Sequence, residues 1–152
     1  MNTTTGSTTP TTATTALHDP PVPARAKLAA AWTSFMFLYI YVDHFQLYKP
    51  GALEDIMAGV VFEFEISQTL MTVFLALLTL PSLMIVLSAA LPARASRILN
   101  LVVASLYVPF SIFNAVGESW TYFYGLSIGI EVLLLAFVLR TAWTWPRTTS
   151  LR

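Results

Sequence analysis

Apolar residues fall into four long blocks separated by short polar or proline-bearing breaks, at 28–48, 68–91, 98–116 and 122–143. Each block holds on the order of 20 residues, roughly 30 Å of helix, which matches the thickness of a hydrocarbon core. Lys49, Pro50 and Gly51 end the first block, and Ser67 is the predicted N-cap of the second. Pro92 ends the second, a turn over 93–97 leads into the third, and Gly117, Glu118 and Ser119 turn the chain into the fourth. Pro81 and Pro109 lie inside the second and third blocks, and a kink is expected near Pro81. Trp32 and Tyr48 are expected at the two interfaces of the first span, with Trp143 and Trp145 at the end of the fourth. Four spans with short connections predict an all-α membrane fold, an up-down-up-down bundle of antiparallel neighbours.

The flanking segments differ. Residues 1–27 are rich in Thr and Pro with almost nothing apolar to bury, so they are predicted to be a disordered tail. The tail lacks the apolar core of a signal peptide, and the first span is expected to stay in the mature protein. Residues 28–145 form the transmembrane domain on this reading, and 146–152 a second short tail. Asn2, Thr3 and Thr4 match a glycosylation acceptor, which the topology below puts on the wrong side of the membrane. In the outer loop, 49–67, Leu53, Ile56, Met57, Val60, Val61 and Phe64 recur at helical spacing, and a helix there would lie flat on the bilayer with Glu54 and Asp55 facing water. The stretch 61–66 also alternates apolar and acidic residues, and Gly59 is a breaker, so a short helix over 52–58 followed by irregular chain is predicted.

Composition agrees with the pattern: 56% of the 152 residues are hydrophobic, 11% are charged, and the mean hydropathy is +0.68, outside the range of soluble domains. There is no cysteine, which excludes disulfides, thiolate metal sites and dithiol redox chemistry. A net charge of +0 argues against nucleic acid as a partner. The distribution of charge is more informative than its sum. Arg25, Lys27, Arg94, Arg97, Arg140, Arg147 and Arg152 share one side of the predicted topology, with only Lys49 opposite, so both termini are expected in the cytoplasm and the protein in the plasma membrane.

Within the spans, one residue stands out. Glu131 lies near the middle of the fourth block, where an acid costs about 2.5 to 3.5 kcal/mol on insertion scales. The Leu, Ile, Val and Phe residues around it return about 0.3 to 0.6 kcal/mol each, so the helix still inserts. Its carboxyl is expected to face other helices and to be uncharged. Asn100, Tyr107, Ser111 and Asn114, with Ala104 in the gap, form a polar stripe on the third span that should look inward. Tyr39, Thr79, Tyr107 and Glu131 fall near the midplane, and Glu131 is expected to bond one or more of the other three. Asp43, Gln68 and Asn114 would line the outer half. Gly125 and Gly129 form a G-x-x-x-G on another face of the fourth span, suited to close approach of a helix in the bundle or in a second copy of the chain.

The residues Lys27-Leu28, Ala31-Trp32, Tyr39, Asp43, Pro50-Gly51, the E-D-I-M-A-G stretch at 54–59, Leu91-Pro92 with Arg94, Arg97 and Asn100, Ile130-Glu131 and Ala142-Trp143 resemble a bacterial domain-of-unknown-function family of small four-helix membrane proteins. The resemblance covers about 27–145. More distantly, the layout is similar to DoxX-type four-helix proteins. In the family pattern an acid often stands two residues before the span-two proline, where this chain has Thr79. The resemblance implies the fold and no activity.

Three functional readings follow. The first is a bundle that binds or passes a small solute or a proton through a polar interior, with Glu131, Tyr39, Asp43, Thr79, Tyr107 and Asn114 as the binding residues and no cofactor. Because a single four-helix bundle has little room for a pore, this reading calls for an oligomer joined at Gly125 and Gly129. The second is a membrane enzyme or quinone-linked accessory, with Glu131, or Asp43 with His44, as general acid or base on a lipid-soluble substrate. No nucleophile motif, nucleotide loop or metal-ligand spacing accompanies it; one His with scattered acids is a poor metal set, and His44 reads first as an interfacial side chain. The third is a structural partner of another membrane protein.

Overall fold

The computed structural model describes residues 20–114, 116 and 119–146. Four long helices carry the fold: α1 (Ala24–Gln46), α3 (Gln68–Ala90), α4 (Ala93–Phe113) and α5 (Thr121–Trp143). Between α1 and α3 lie a short helix, α2 (Ala52–Met57), and two strands, β1 (Val60–Val61) and β2 (Phe64–Glu65). Each long helix packs on its sequence neighbour, and α1 closes on α5. The contacts alternate in direction: Arg25, near the start of α1, reaches Ala89 at the end of α3, and Arg97, near the start of α4, reaches Ala142 at the end of α5.

Proline chemistry sets several boundaries. α1 begins at Ala24, directly after Pro23, so the helix takes in residues assigned above to the tail. Leu91 is forced into extended backbone (ψ 156°) by the ring of Pro92, which ends α3. Pro92 then caps α4, which starts at Ala93. The expected turn over 93–97 is therefore helix, and the connection shrinks to Leu91 and Pro92. Ser67 caps α3 as predicted, its hydroxyl accepting from the Leu70 N–H at 3.1 Å. α3 stays helical through Pro81. Gly117 and Glu118, the Asn2 triplet and the tail beyond Pro146 lie outside the described residues.

The loop between α1 and α3 differs from expectation after α2. Gly59 takes φ +86°, a conformation open to glycine, and reverses the chain into an antiparallel hairpin that pairs Val60 with Glu65 and Val61 with Phe64. The Ile66 N–H closes its base on the Gly59 carbonyl at 2.8 Å, and Phe62, at φ 55°, forms its tip and meets the Phe74 ring edge-on. The apolar and acidic alternation thus becomes a hairpin instead of irregular chain.

Side-chain polarity in the bundle is inverted relative to a soluble protein. Ser88, Ser96, Asn100, Ser111, Ser127 and Glu131 are buried, while Phe37, Ile40, Leu75, Val86, Leu106, Leu126 and Leu133 are exposed. Among the described residues three helices, α3, α4 and α5, are long and apolar enough to cross a membrane. α3 is the extreme case, with only 11% of its most apolar stretch buried. α1 is as long as α3 and α5, at 23 residues, but is not one of the three. Trp32, Thr33, Ser34, Tyr39, Asp43 and His44 lower its apolarity, though its outer face carries Phe37, Ile40 and Phe45.

Candidate functional site

The interior is built in layers along the bundle axis. The innermost is a polar network that the sequence alone did not reveal. Trp32, expected at an interface, is fully buried, and its Nε1–H donates to Asn100 Oδ1 at 2.7 Å. The Asn100 amide also donates to the Ser96 carbonyl (2.8 Å) and to Ser88 Oγ (3.1 Å), and Ser96 Oγ donates to the Ser88 carbonyl (3.1 Å). An indole can be buried when its N–H has a partner, which is why Trp32 leaves the interface position its amphipathic ring would otherwise take.

Above this lies an aromatic layer. Phe35 and Tyr107 meet edge-on at 5.9 Å, Trp32 packs edge-on against both, and Met84, Ala104 and Leu135 fill the space around them. Tyr107 does not bond Glu131. Its hydroxyl donates to the Leu77 carbonyl on α3. That carbonyl stands four residues before Pro81, which has no N–H to return, so Tyr107 supplies across the bundle the donor that Pro81 withholds.

The third layer holds Glu131, 4% exposed, with its carboxyl beside the fully buried hydroxyl of Ser111. Ser111 Oγ makes no hydrogen bond in full distance and angle geometry, and among the described residues it is the only buried side-chain polar atom of which this is true. Tyr39 lies within electrostatic reach of Glu131, Asp43 and Tyr107, and Asn114 Nδ2 donates to its hydroxyl. Asp43 also acts on Glu131. The end of the bundle remote from the Asn100 network is finished by Ser127 and Tyr124, with the Lys49 ammonium 5.9 Å from the centre of the Tyr124 ring.

Of the residues singled out from the sequence, Glu131, Tyr39, Asp43 and Asn114 come together, and Tyr107 closes the floor beneath them. Thr79 does not join them: it is exposed on α3 and its hydroxyl donates to the Leu75 carbonyl at 2.7 Å, the local bond that lets a threonine face an apolar medium. Gln68 is exposed at the first turn of α3. Gly125 and Gly129 face outward, with nothing within 4 Å of an added Cβ, so no helix of the bundle uses that face. Ser111 belonged to the polar stripe but was not singled out; its register with Glu131 across α4 and α5 is a tertiary fact. His44 sits among Phe45 and Tyr48 at the exposed end of α1. Among the described residues no group of three or more His, Cys, Asp and Glu side chains could hold a metal ion.

This arrangement defines a predominantly helical protein, among whose described residues three helices are long and apolar enough to cross a membrane, with carboxyl and hydroxyl groups turned to the bundle interior. Over residues 23–150 the chain matches the family of unknown function DUF6326, and it belongs to that family. No curated protein and no solved structure matches it.

Proposed function

We propose that this protein is a multi-pass membrane bundle, with α1 as a fourth span, that binds a small solute or a proton at Glu131. The observation that carries the reading is the buried carboxyl of Glu131 beside the buried hydroxyl of Ser111, a side chain that makes no other hydrogen bond among the described residues. Ionisable groups at bilayer depth are costly and tend to mark pathways or binding sites. Structural glue between helices spends its groups on several partners, as the Asn100 network does; the hydrogen-bonding neighbour of the Glu131 carboxyl is the Ser111 hydroxyl. Tyr39, Asp43 and Asn114 complete the site, and access is from the outer end, because Phe35, Tyr107 and Trp32 close the inner side. Passage through the protein would need that aromatic layer to move.

The basic side chains Arg25, Arg97 and Arg140 gather at one end of the bundle, and the positive-inside rule makes that end and both termini cytoplasmic, with the plasma membrane as the location. Copies of the chain would meet through the open Gly125 and Gly129 face. The test is a pH jump across proteoliposomes loaded with a pH-sensitive dye. The wild-type chain should collapse the gradient faster than protein-free vesicles or vesicles carrying Glu131→Gln. Identical traces for wild type and Glu131→Gln reject Glu131 as the titrating group.

A further inference from the structure

On the lipid-facing side of the bundle, α4 and α5 leave a cleft of about 450 Å³ lined by Leu101, Ser105, Leu139, Arg140, Trp143 and Thr144. The Arg97 Nε–H donates to the Ala142 carbonyl at 3.1 Å, which fixes the start of α4 against the end of α5. The cleft therefore runs from the helix ends, at Trp143 and Thr144, past Arg140 and Leu139 to Ser105, about 18 Å along α4 from its first residue. Two features set its level in a bilayer. Trp143 is 72% exposed at the position where indole rings mark the headgroup region. Arg140 is exposed one turn further in, and among the described residues its guanidinium has no hydrogen-bond or ion-pair partner.

We infer that this cleft is a binding site for an anionic phospholipid, its phosphate on Arg140 and an acyl chain along Leu101 and Leu139. The inference rests on the membrane reading above and is independent of Glu131. A groove at hydrocarbon depth holds no water, so an acyl chain fills it, and the headgroup is selected by what stands at its rim. An arginine snorkelling from the helix end presents a planar, multiply donating cation suited to a phosphate, and Arg25 and Arg97 add positive potential at the same end.

The full-length chain, purified in a zwitterionic detergent, is presented with phosphatidylglycerol or phosphatidylcholine of the same acyl composition, and retained lipid is counted by native mass spectrometry. Phosphatidylglycerol should be retained about fivefold more strongly, the size expected of one basic side chain at a membrane surface. Arg140→Gln should remove most of that preference and Arg140→Lys restore much of it. Arg94→Gln, a basic residue at the same end but outside the cleft, should leave it intact. Equal retention of the two lipids, or equal losses in Arg140→Gln and Arg94→Gln, overturns the site. So does displacement of the lipid by inorganic phosphate at matched concentration, which would show that the anion alone is recognised. Alkaline carbonate extraction of cell membranes separates the two levels: release of the chain defeats the membrane reading itself, whereas an integral chain without lipid preference defeats only the cleft.

Discussion

Replacing Tyr107 with Phe isolates a single atom's contribution to the bundle. The ring keeps its edge contacts with Trp32, Phe35 and Phe110, and only the hydroxyl that donates to the Leu77 carbonyl is lost. Elsewhere in α3 such a loss would be mild, because a helical carbonyl already has its N–H four residues on. Leu77 does not, since that residue is Pro81. Leaving a buried acceptor unpaired costs about 1 to 3 kcal/mol, whereas interhelical bonds in membranes average about 0.6 kcal/mol and reach about 1.7 kcal/mol. An acceptor without a local alternative belongs at the top of the second range, so Tyr107→Phe should lower stability by about 1.5 kcal/mol. In a Pro81→Ala background the new backbone N–H bonds Leu77 itself, and the same substitution should cost about 0.5 kcal/mol. The cycle cancels the packing change at buried position 81, leaving a coupling of about 1 kcal/mol. Reversible unfolding by sodium dodecyl sulfate in mixed micelles, followed by tryptophan fluorescence, measures all four chains. A coupling below about 0.3 kcal/mol, within the scatter of independent sites, would refute the compensation between Pro81 and Tyr107.

Four further outcomes follow from the same structure. Asn100→Ala strips partners from Trp32 Nε1 and Ser88 Oγ at once and should destabilise by about 2 to 3 kcal/mol in the same titration; a variant as stable as wild type would show the network to be incidental. Gly59→Ala should cost about 1 kcal/mol of thermal stability from its positive φ alone, since nothing lies within 4 Å of the added Cβ, and a neutral result would mean that the hairpin reverses the chain another way. Gly125→Ala, equally uncrowded but helical, should leave monomer stability unchanged or raise it by up to about 1 kcal/mol. Gly125→Leu should reduce crosslinking between copies in membranes, and undiminished crosslinking would remove that face as the seam.

The polar stripe of α4 shows how far residue spacing reaches. Of its four polar members, Asn100, Tyr107 and Ser111 are buried as the period requires, whereas Asn114, at the C-cap just past the end of α4, is exposed. Period alone says nothing about partners, and partners distinguish the three residues. Asn100 is saturated by Trp32, Ser88 and Ser96; Tyr107 is spent on a carbonyl that Pro81 orphans; Ser111 is left beside Glu131. Trp32 and Thr79 illustrate the converse. Residue type and depth alone place the indole at an interface and the hydroxyl in the interior. Each went elsewhere because a hydrogen bond was available there: Asn100 for the indole, and the Leu75 carbonyl of its own helix for the threonine.

By itself the sequence determined the four long helices and the boundaries that Ser67 and Pro92 set, because a serine cap and a proline act through local backbone chemistry that needs no neighbour; the start of α4 at Ala93 and the hairpin after Gly59 lay beyond it. It also determined that Glu131 must be sheltered, since the cost of an acid in an apolar block depends only on where it stands in that block. Tertiary structure decided what shelters it. Which hydroxyl meets the carboxyl, which aromatic rings close the floor, and which glycine face stays open depend on the rotation of each helix about its axis. That rotation is set by the sum of contacts among α1, α3, α4 and α5, and no single helix contains that information.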